Sequence, residues 1–141
     1  MEFDLEEFLP YRLFQAAEHA SRSFQSLYKI EFGITRTEWR VLFNIAQYGP
    51  ITARQIVERT GLDKSVISRA VLSLEERKWI QRHYSKSNRR THQLNLSELG
   101  KLKSQELRKI AADFDQDIKS KFKQNEISSL MRLLRDIEAA Q

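Results

Sequence analysis

The stretch "TARQIVERTGLDKSVISRAVLSL", Thr52 to Leu74, decides the fold of this chain. Thr52 can cap a helix in which Gln55 occupies the third position, a spacing typical of a capping box. That helix is predicted to be short, because Gly61 breaks it. Asp63 is placed to cap a second helix directly afterwards. The sequence therefore predicts two helices joined by a tight turn.

The apolar residues of this stretch are spaced for two crossing helices. The residues expected at the crossing are Ile56, Leu62, Ile67 and Ala70, and the inward face of the second helix consists of Val66, Ile67, Ala70, Val71 and Leu74. Two short helices joined by a Gly-containing turn form a helix-turn-helix unit, whose second helix can lie in the major groove of DNA. Many such units have Ala or Gly at the closest helix contact, where this chain has Val57.

The outward side of the second helix is polar. Once the buried face is assigned, Lys64, Ser65, Ser68 and Arg69 remain near its beginning. Arg can hydrogen-bond guanine with two donors, Ser can contact bases or phosphates, and Lys neutralises backbone charge. The competing interpretation is an ordinary solvated helix face. We take these four residues as candidate DNA-binding residues.

Two predicted strands follow, "WIQRHY" at 79–84 and "THQLNL" at 91–96, and they flank the basic segment "SKSNRR". A hairpin in this position projects toward the adjacent minor groove, whose negative potential attracts Arg where the groove is narrow. We expect Arg89 or Arg90 to enter that groove and Lys86 to contact phosphate, while Asn88 suits the turn. These four residues complete the DNA-binding candidates.

Longer amphipathic helices surround this unit. One is predicted over 6–32 and ends at Gly33, and the next, capped by Thr35 with Glu38, stops at "YGP", 48–50. After the hairpin, one helix runs from Ser97 to about position 123, and another is capped by Asn125. The expected order is four helices, a hairpin and two helices, which is mainly α with a small β-hairpin.

Composition and charge limit the function classes. The 141 residues are 40% hydrophobic and include 4 Gly and 2 Pro, which favours a helical globular protein. Between Ile51 and Leu94, ten basic and four acidic residues give a net charge of +6. The rest of the chain holds fourteen basic and fifteen acidic residues. A basic middle between nearly neutral flanks is the charge distribution expected of a polyanion-binding protein.

Several chemistries are not expected. The chain has no Cys, and His19, His83 and His92 are too scattered for a metal motif, so we expect no metal site and no cofactor. We find no nucleophile with a base and no Gly-rich phosphate loop, which argues against an enzyme. The acidic start resembles no targeting peptide and no apolar run could span a membrane, so a cytoplasmic protein is expected.

Two stretches resemble the MarR family of bacterial winged-helix transcription regulators: "GLDKSVISRAVLSLEERKWIQR", 61–82, and "RRTHQLNLSELG", 89–100. The second is similar to the family's pattern of Arg followed by Leu-x-Leu-Ser/Thr-x-x-Gly, here Arg90, Leu94, Leu96, Ser97 and Gly100. The resemblance implies one domain over 1–141, with a winged helix-turn-helix DNA-binding lobe at approximately 50–97. It implies dimerisation helices at approximately 5–33 and 98–140.

The resemblance also implies roles for single residues. Ser65, Ser68 and Arg69 would read DNA, and Arg90 would be the wing-tip arginine. The family often has Asp two residues before that arginine, where it can brace the wing, whereas this chain has Asn88. The missing carboxylate leaves the wing tip more positive.

A homodimer is the expected assembly. Two copies would present two recognition helices ~34 Å apart, which predicts a pseudo-palindromic operator. The candidate interface residues are Phe3, Leu5, Phe8, Leu9, Leu130, Leu133, Leu134 and Ile137. The alternative is that these helices pack only within the monomer.

Many members of the family respond to small phenolic or anionic ligands. Arg12, His19, Arg22, Trp39 and Arg40 are the candidate residues for such an effector site. The alternative, with Trp39 in the core and the others on the surface, stays open.

The leading hypothesis is a homodimeric, sequence-specific transcriptional regulator, most simply a repressor that occludes a promoter and associates with the nucleoid when bound to DNA. The alternative is a winged-helix protein–protein interaction module whose basic face binds an acidic partner.

Overall fold

A computed structural model of the chain describes residues 2–84, 86 and 91–140. Within these ranges the elements are α1 (Leu9–Phe32), α2 (Arg36–Tyr48), α3 (Ala53–Thr60), α4 (Lys64–Glu76), β1 (Ile80–Tyr84), β2 (His92–Leu96), α5 (Glu98–Lys119) and α6 (Gln124–Ala139). The predicted fold class and element order are confirmed. The chain divides into two compact units, 1–107 and 108–141. The lobe boundaries expected from the sequence stay predictions.

The first helix begins later than predicted, at Leu9 instead of position 6. A carboxylate oxygen of Asp4 accepts a hydrogen bond from the backbone N–H of Glu6 at 3.0 Å and caps a single 3₁₀ turn, Leu5–Glu7. Phe8 then has an extended backbone, which separates the turn from α1. Pro10 fits directly after this break, because the first helical turn needs no N–H from it.

The predicted caps around the helix-turn-helix unit are mostly confirmed. Thr52 Oγ1 accepts from the backbone N–H of Gln55 at 3.1 Å, and Gln55 Oε1 accepts from that of Thr52 at 2.9 Å. Gly61 ends α3 with φ of +70°, a left-handed backbone that favours Gly. Asp63 occupies the cap position of α4, but its side chain makes no capping hydrogen bond among the described residues.

Two other capping predictions need correction. Thr35 Oγ1 accepts from the backbone N–H of Glu38 at 3.1 Å, as expected, but the Glu38 carboxylate points to α4 instead of back to Thr35. The cap position of α6 is Lys123 and not Asn125, because Glu126 reaches back to accept from the backbone N–H of Lys123 at 2.9 Å. The preceding helix α5 ends at Lys119, about four residues before the predicted end near position 123.

The core of unit 1–107 lies where α2, α3 and α4 meet the hairpin. Its fully buried side chains include Val41, Leu42, Ile56, Ile67, Leu74 and Leu94. Each buried Leu or Ile contributes roughly 1.5–3 kcal/mol relative to exposure. The strands pair antiparallel from Ile80 opposite Leu96 to Tyr84 opposite His92. Because one side of α4 packs against this core, the opposite side of α4 faces solvent.

The hairpin has a third hydrogen-bonding partner that the sequence did not predict. Ile51 N–H donates to Leu94 O at 3.2 Å, and Leu94 N–H donates to Ile51 O at 2.7 Å. Ile51 lies between α2 and α3, and its side chain is buried. The base of the hairpin is therefore tied to the start of the helix-turn-helix unit.

The Leu-x-Leu-Ser-x-x-Gly pattern has a structural explanation. Ser97 Oγ donates to the carbonyl of Lys78 at 2.6 Å and accepts from the backbone N–H of Gly100 at 3.0 Å. Gly100 lies so close to the turn before β1 that an added Cβ would lie 1.8 Å from the carbonyl oxygen of Trp79. Ser97 and Gly100 thus dock the start of α5 on the connection between α4 and β1.

Gly100→Ala is expected to lower the free energy of unfolding by about 3 kcal/mol or more, since the methyl group meets fixed backbone. Gly61→Ala is the matched control, because that position has open space and only the positive φ to oppose a side chain. It should lose about 1–2 kcal/mol. Urea denaturation followed by circular dichroism measures both. Equal losses in the two variants would contradict the docking role of Gly100.

Candidate nucleic-acid interface

The outward side of α4 carries the four residues predicted for it. Lys64, Ser65, Ser68 and Arg69 are all exposed, whereas Ile67, Ala70, Val71 and Leu74 are buried on the opposite side. This division follows from the period of 3.6 residues per helical turn. We call Lys64, Ser65, Ser68 and Arg69 the reading face. The structure brings these residues together on one helix surface.

Of the wing candidates, Lys86 is exposed beyond the end of β1. Asn88, Arg89 and Arg90, also predicted to contact DNA, lie outside the described residues. The described base of the hairpin carries Tyr84, which is exposed and packs edge-on against His92 with the ring centroids 5.4 Å apart.

A charged contact that the sequence did not reveal joins the hairpin to α4. Arg82 on β1 has its Nε 2.8 Å from Oε1 of Glu75, near the end of α4. The guanidinium of Arg82 also contacts Nε2 of His92 on β2. Because Arg can only donate, Nε2 of His92 is the acceptor in this contact. Glu75 and Arg82 lie on different elements with no helical spacing, so no sequence pattern links them.

A buried carboxylate, Glu38, holds the same C-terminal end of α4 from another side. Ser73 Oγ donates to its Oε2 at 3.2 Å, and Arg77 Nε lies 3.4 Å from the same oxygen as an ion pair without hydrogen-bond geometry. The Arg77 guanidinium also donates to the carbonyl oxygen of Gly33 at 2.7 Å. This cluster links α4 to the α1–α2 connection, and we call Glu38, Ser73 and Arg77 the anchor cluster.

A groove opens between α3 and α4 beside the reading face, with a volume of about 320 Å³. Its lining residues are Ala53, Arg54, Val57, Lys64, Ile67 and Ser68. The sequence predictions included Lys64 and Ser68 but not Arg54 or the apolar walls. The one sequence feature that could have indicated this groove is Val57, which stands where such units usually have Ala or Gly.

The effector candidates are only partly brought together. Trp39 packs between Phe24 and Phe43, with ring centroids 5.4 Å from each, and the Arg40 guanidinium lies 6.0 Å from the Trp39 ring. The other three candidates lie exposed on α1: Arg12 pairs with Glu6, Arg22 pairs with Glu18, and His19 is solvent-exposed. Arg12 is ten residues, or about 15 Å, before Arg22 along the helix, too far for one small ligand to contact both.

Tyr28 is a polar residue in this region that the sequence assigned only to the apolar side of α1. Its ring lies 4.9 Å from that of Phe24 and is fully buried. Among the described residues, neither its hydroxyl nor the indole N–H of Trp39 makes a hydrogen bond of good geometry. Burial raises the pKa of Tyr28 to about 12, opposed in part by Arg36, Arg40 and Trp39.

The described part of the chain has neither a membrane-spanning helix nor a metal-binding cluster. In the described residues, no helix is both long and apolar enough to cross a membrane. The same ranges contain no group of three His, Asp or Glu side chains arranged to hold a metal ion.

A helix-turn-helix unit followed by an antiparallel hairpin defines a winged helix-turn-helix protein. Residues 32–91 match the sequence model described as the MarR family. The HTH-type transcriptional regulator YwoH of Bacillus subtilis (strain 168), itself uncharacterized, is 23% identical over 104 residues, which cover 74% of this chain and 75% of that protein.

Solved structures agree in fold. A MarR/EmrR family transcriptional regulator from Acinetobacter sp. ADP1 is 27% identical with a TM-score of 0.82, covering 98% of this chain and 97% of that chain. BpsR of Bordetella bronchiseptica, whose DNA binding is regulated by 6-hydroxynicotinic acid, is 19% identical with a TM-score of 0.89 over 100% of both chains. Over residues 32–91 the chain is thus similar to the MarR family, and its fold agrees with that of these transcriptional regulators. That family and these neighbours are regulators and not enzymes.

The free energy of unfolding is expected to fall as pH rises from about 10 to 12. The folded chain keeps Tyr28 protonated up to about pH 12, whereas an unfolded tyrosine ionises near its ordinary pKa of about 10. The unfolded state therefore binds fewer protons over this interval, which favours unfolding as pH rises. Tyr28→Phe should show a shallower decrease between these pH values, measured by urea denaturation. Tyr84→Phe, which removes an exposed hydroxyl, is the control, and parallel curves for wild type and Tyr28→Phe would contradict the prediction.

Proposed function

We propose that this chain acts as a homodimer that binds a pseudo-palindromic operator and represses transcription by occluding a promoter. The observation that carries the proposal is the reading face: two cations and two hydroxyls exposed together on a helix held from behind by a fully buried side. A helix of this kind fits the major groove, where base edges are distinguishable.

Each residue has an expected role in the complex. Arg69 is suited to a bidentate contact with guanine, and Ser65 and Ser68 to base edges or phosphates. Lys64 and Lys86 are placed to neutralise phosphates. Asn88, Arg89 and Arg90 are proposed to shape the wing tip and enter the minor groove.

The burial pattern supports a homodimer. In residues 108–140, no side chain is buried in the single chain, although Phe122, Leu130, Met131 and Leu133 are large and apolar. In residues 2–23 the same is true, and Phe3, Leu5, Phe8 and Leu9 are exposed. Helices without buried residues gain little stability from packing, so a partner surface is needed. Leu134 and Ile137 are half-buried and are proposed to extend the interface.

A basic face for an acidic protein partner is the competing function. Both functions predict binding that weakens with salt. Only readout of base pairs by the DNA-binding function predicts that single base-pair changes alter the affinity, so sequence preference separates the two functions.

Regulation by a small aromatic or anionic effector is a second proposal. It is favoured by the buried Tyr28 hydroxyl and Trp39 indole N–H, which make no hydrogen bond of good geometry among the described residues and lie beside the Arg40 cation. A ligand that moves into this region would supply the missing hydrogen bonds. The binding assay uses Trp79→Phe, which leaves Trp39 as the single indole, and follows its fluorescence during titration with aromatic carboxylic acids. A change in fluorescence together with release of operator DNA supports the proposal, and unchanged fluorescence across the series contradicts it.

Arg69→Ala is expected to relax sequence preference at one position of each half-site and to cost roughly 1–3 kcal/mol in operator binding. Lys64→Ala, in contrast, should weaken operator and random duplexes alike and reduce the salt slope. Selection of bound duplexes from a random library, followed by anisotropy titrations at two salt concentrations, measures both effects. Arg132→Ala removes an exposed cation of α6 that is not among the DNA-binding candidates, and it is the control. An Arg69→Ala protein with unchanged preference would refute the assignment of the reading face.

Leu133→Asp is expected to convert the dimer to monomer, because it places a charge in the proposed apolar interface. Leu72→Asp changes an exposed leucine of α4, outside the predicted dimerisation helices, and should leave the dimer intact. Light scattering after size exclusion gives the mass of each variant. A monomeric wild-type protein would exclude the proposed assembly.

A further inference from the structure

The groove between α3 and α4 combines apolar walls with a cationic rim. Ala53 and Val57 of α3 are half-buried, so part of each faces the opening, and Ile67 of α4 is fully buried as its floor. Arg54 and Lys64 stand exposed at the edges, and Ser68 belongs to both the groove and the reading face. The groove is therefore part of the surface that is proposed to meet DNA.

The charges limit what can occupy this groove. A purely apolar partner would remove water from two exposed cations without neutralising them, which is unfavourable. A duplex satisfies both features, because phosphates neutralise the cations while base edges approach the groove. The major groove offers one apolar substituent, the 5-methyl group of thymine.

Val57 makes the groove suited to that methyl group. Helix-turn-helix units often have Ala or Gly here, and Val adds methyl groups to the α3 wall of the groove. Hydrogen-bond readout cannot use these apolar walls, since neither Ala53 nor Val57 can make a side-chain hydrogen bond.

We propose that the groove walled by Ala53 and Val57, above the buried Ile67, receives the 5-methyl group of one thymine in each operator half-site. The inference rests on the proposed function, since it requires the reading face to lie in the major groove. Specificity at that base pair then comes from burial of a methyl group and not from a hydrogen bond. Arg54, whose Nε lies 3.6 Å from a carboxylate oxygen of Glu58, contributes phosphate contact on the rim without sequence preference.

The experiment replaces each operator thymine in turn by deoxyuridine, which removes only the methyl group. The operator is first defined by selection from a random library, and the dissociation constant of each substituted duplex is measured by anisotropy at one salt concentration. One position in each half-site should weaken binding about fourfold, the value expected for loss of one buried methyl group. Other thymines should change the dissociation constant by less than about twofold.

Variants of the protein connect that effect to the groove. Val57→Ala should bring the thymine-to-uracil ratio at the sensitive position toward one, and Ala53→Ser should do the same without shortening a wall residue. Lys64→Ala is the matched control, because it should weaken both duplexes equally and keep their ratio. Circular dichroism tests whether each variant is folded. If Val57→Ala does not fold, the test uses Ala53→Ser alone.

Two results distinguish this inference from the proposed function. If a selected operator is bound specifically but every uracil substitution is neutral, the groove assignment is wrong and the proposed function stands. A sensitive thymine whose effect persists in both Val57→Ala and Ala53→Ser also overturns the assignment. If selection yields no preferred sequence, the proposed function fails and this inference fails with it.

Discussion

The position of α4 depends on a carboxylate buried beneath it. Glu38 is only 6% exposed, and its charge is compensated by Arg77 and by the hydroxyl of Ser73 on α4. Removing one partner of a buried ion pair leaves the other charge unpaired, which typically costs several kcal/mol. Since Arg77 also donates to the carbonyl of Gly33, the end of α4 has one favourable position relative to the α1–α2 connection. The anchor cluster therefore fixes the reading face, although none of its three residues lies on it.

The hairpin is held to the same frame by different interactions. Arg82 joins β1 to Glu75 of α4, Ile51 pairs with β2 at Leu94, and Gly100 brings α5 against Trp79. Readout of base edges depends on side chains that are already positioned before binding, because ordering them in the complex would reduce affinity. The single chain thus has an internally packed reading unit, whereas residues 108–140 contain no buried side chain. We therefore expect the reading unit to be stabilised by packing within the chain, and residues 108–140 to be stabilised by packing against a second copy.

Local patterns were sufficient to predict much of this from the sequence. Both cap residues of α3, the turn at Gly61 and the exposed side of α4 follow from residue type and helical period, and all are present. The failures involve competition between partners. Glu38 could accept a hydrogen bond from the start of its own helix or interact with α4, and in the structure it lies beside Arg77. Glu126 accepts from the backbone N–H of Lys123, so Lys123 and not Asn125 occupies the cap position. The pairing of Arg82 with Glu75 and the groove beside Val57 arise from tertiary packing, which spacing along one element does not encode.

Charge and apolar contact have separate roles at the proposed interface. When lysines and arginines neutralise phosphates, the DNA releases counterions, which strengthens binding to every duplex. This contribution to the affinity falls steeply as the salt concentration rises. Burial of a thymine methyl group is not screened by ions, because no charge takes part in it. Added salt should therefore reduce total affinity while preserving the contribution of the groove to discrimination. Since the groove has Arg54 and Lys64 on its rim, both effects originate within a few residues of each other. This arrangement would allow a strongly basic surface to remain selective at ionic strengths where nonspecific binding is weak.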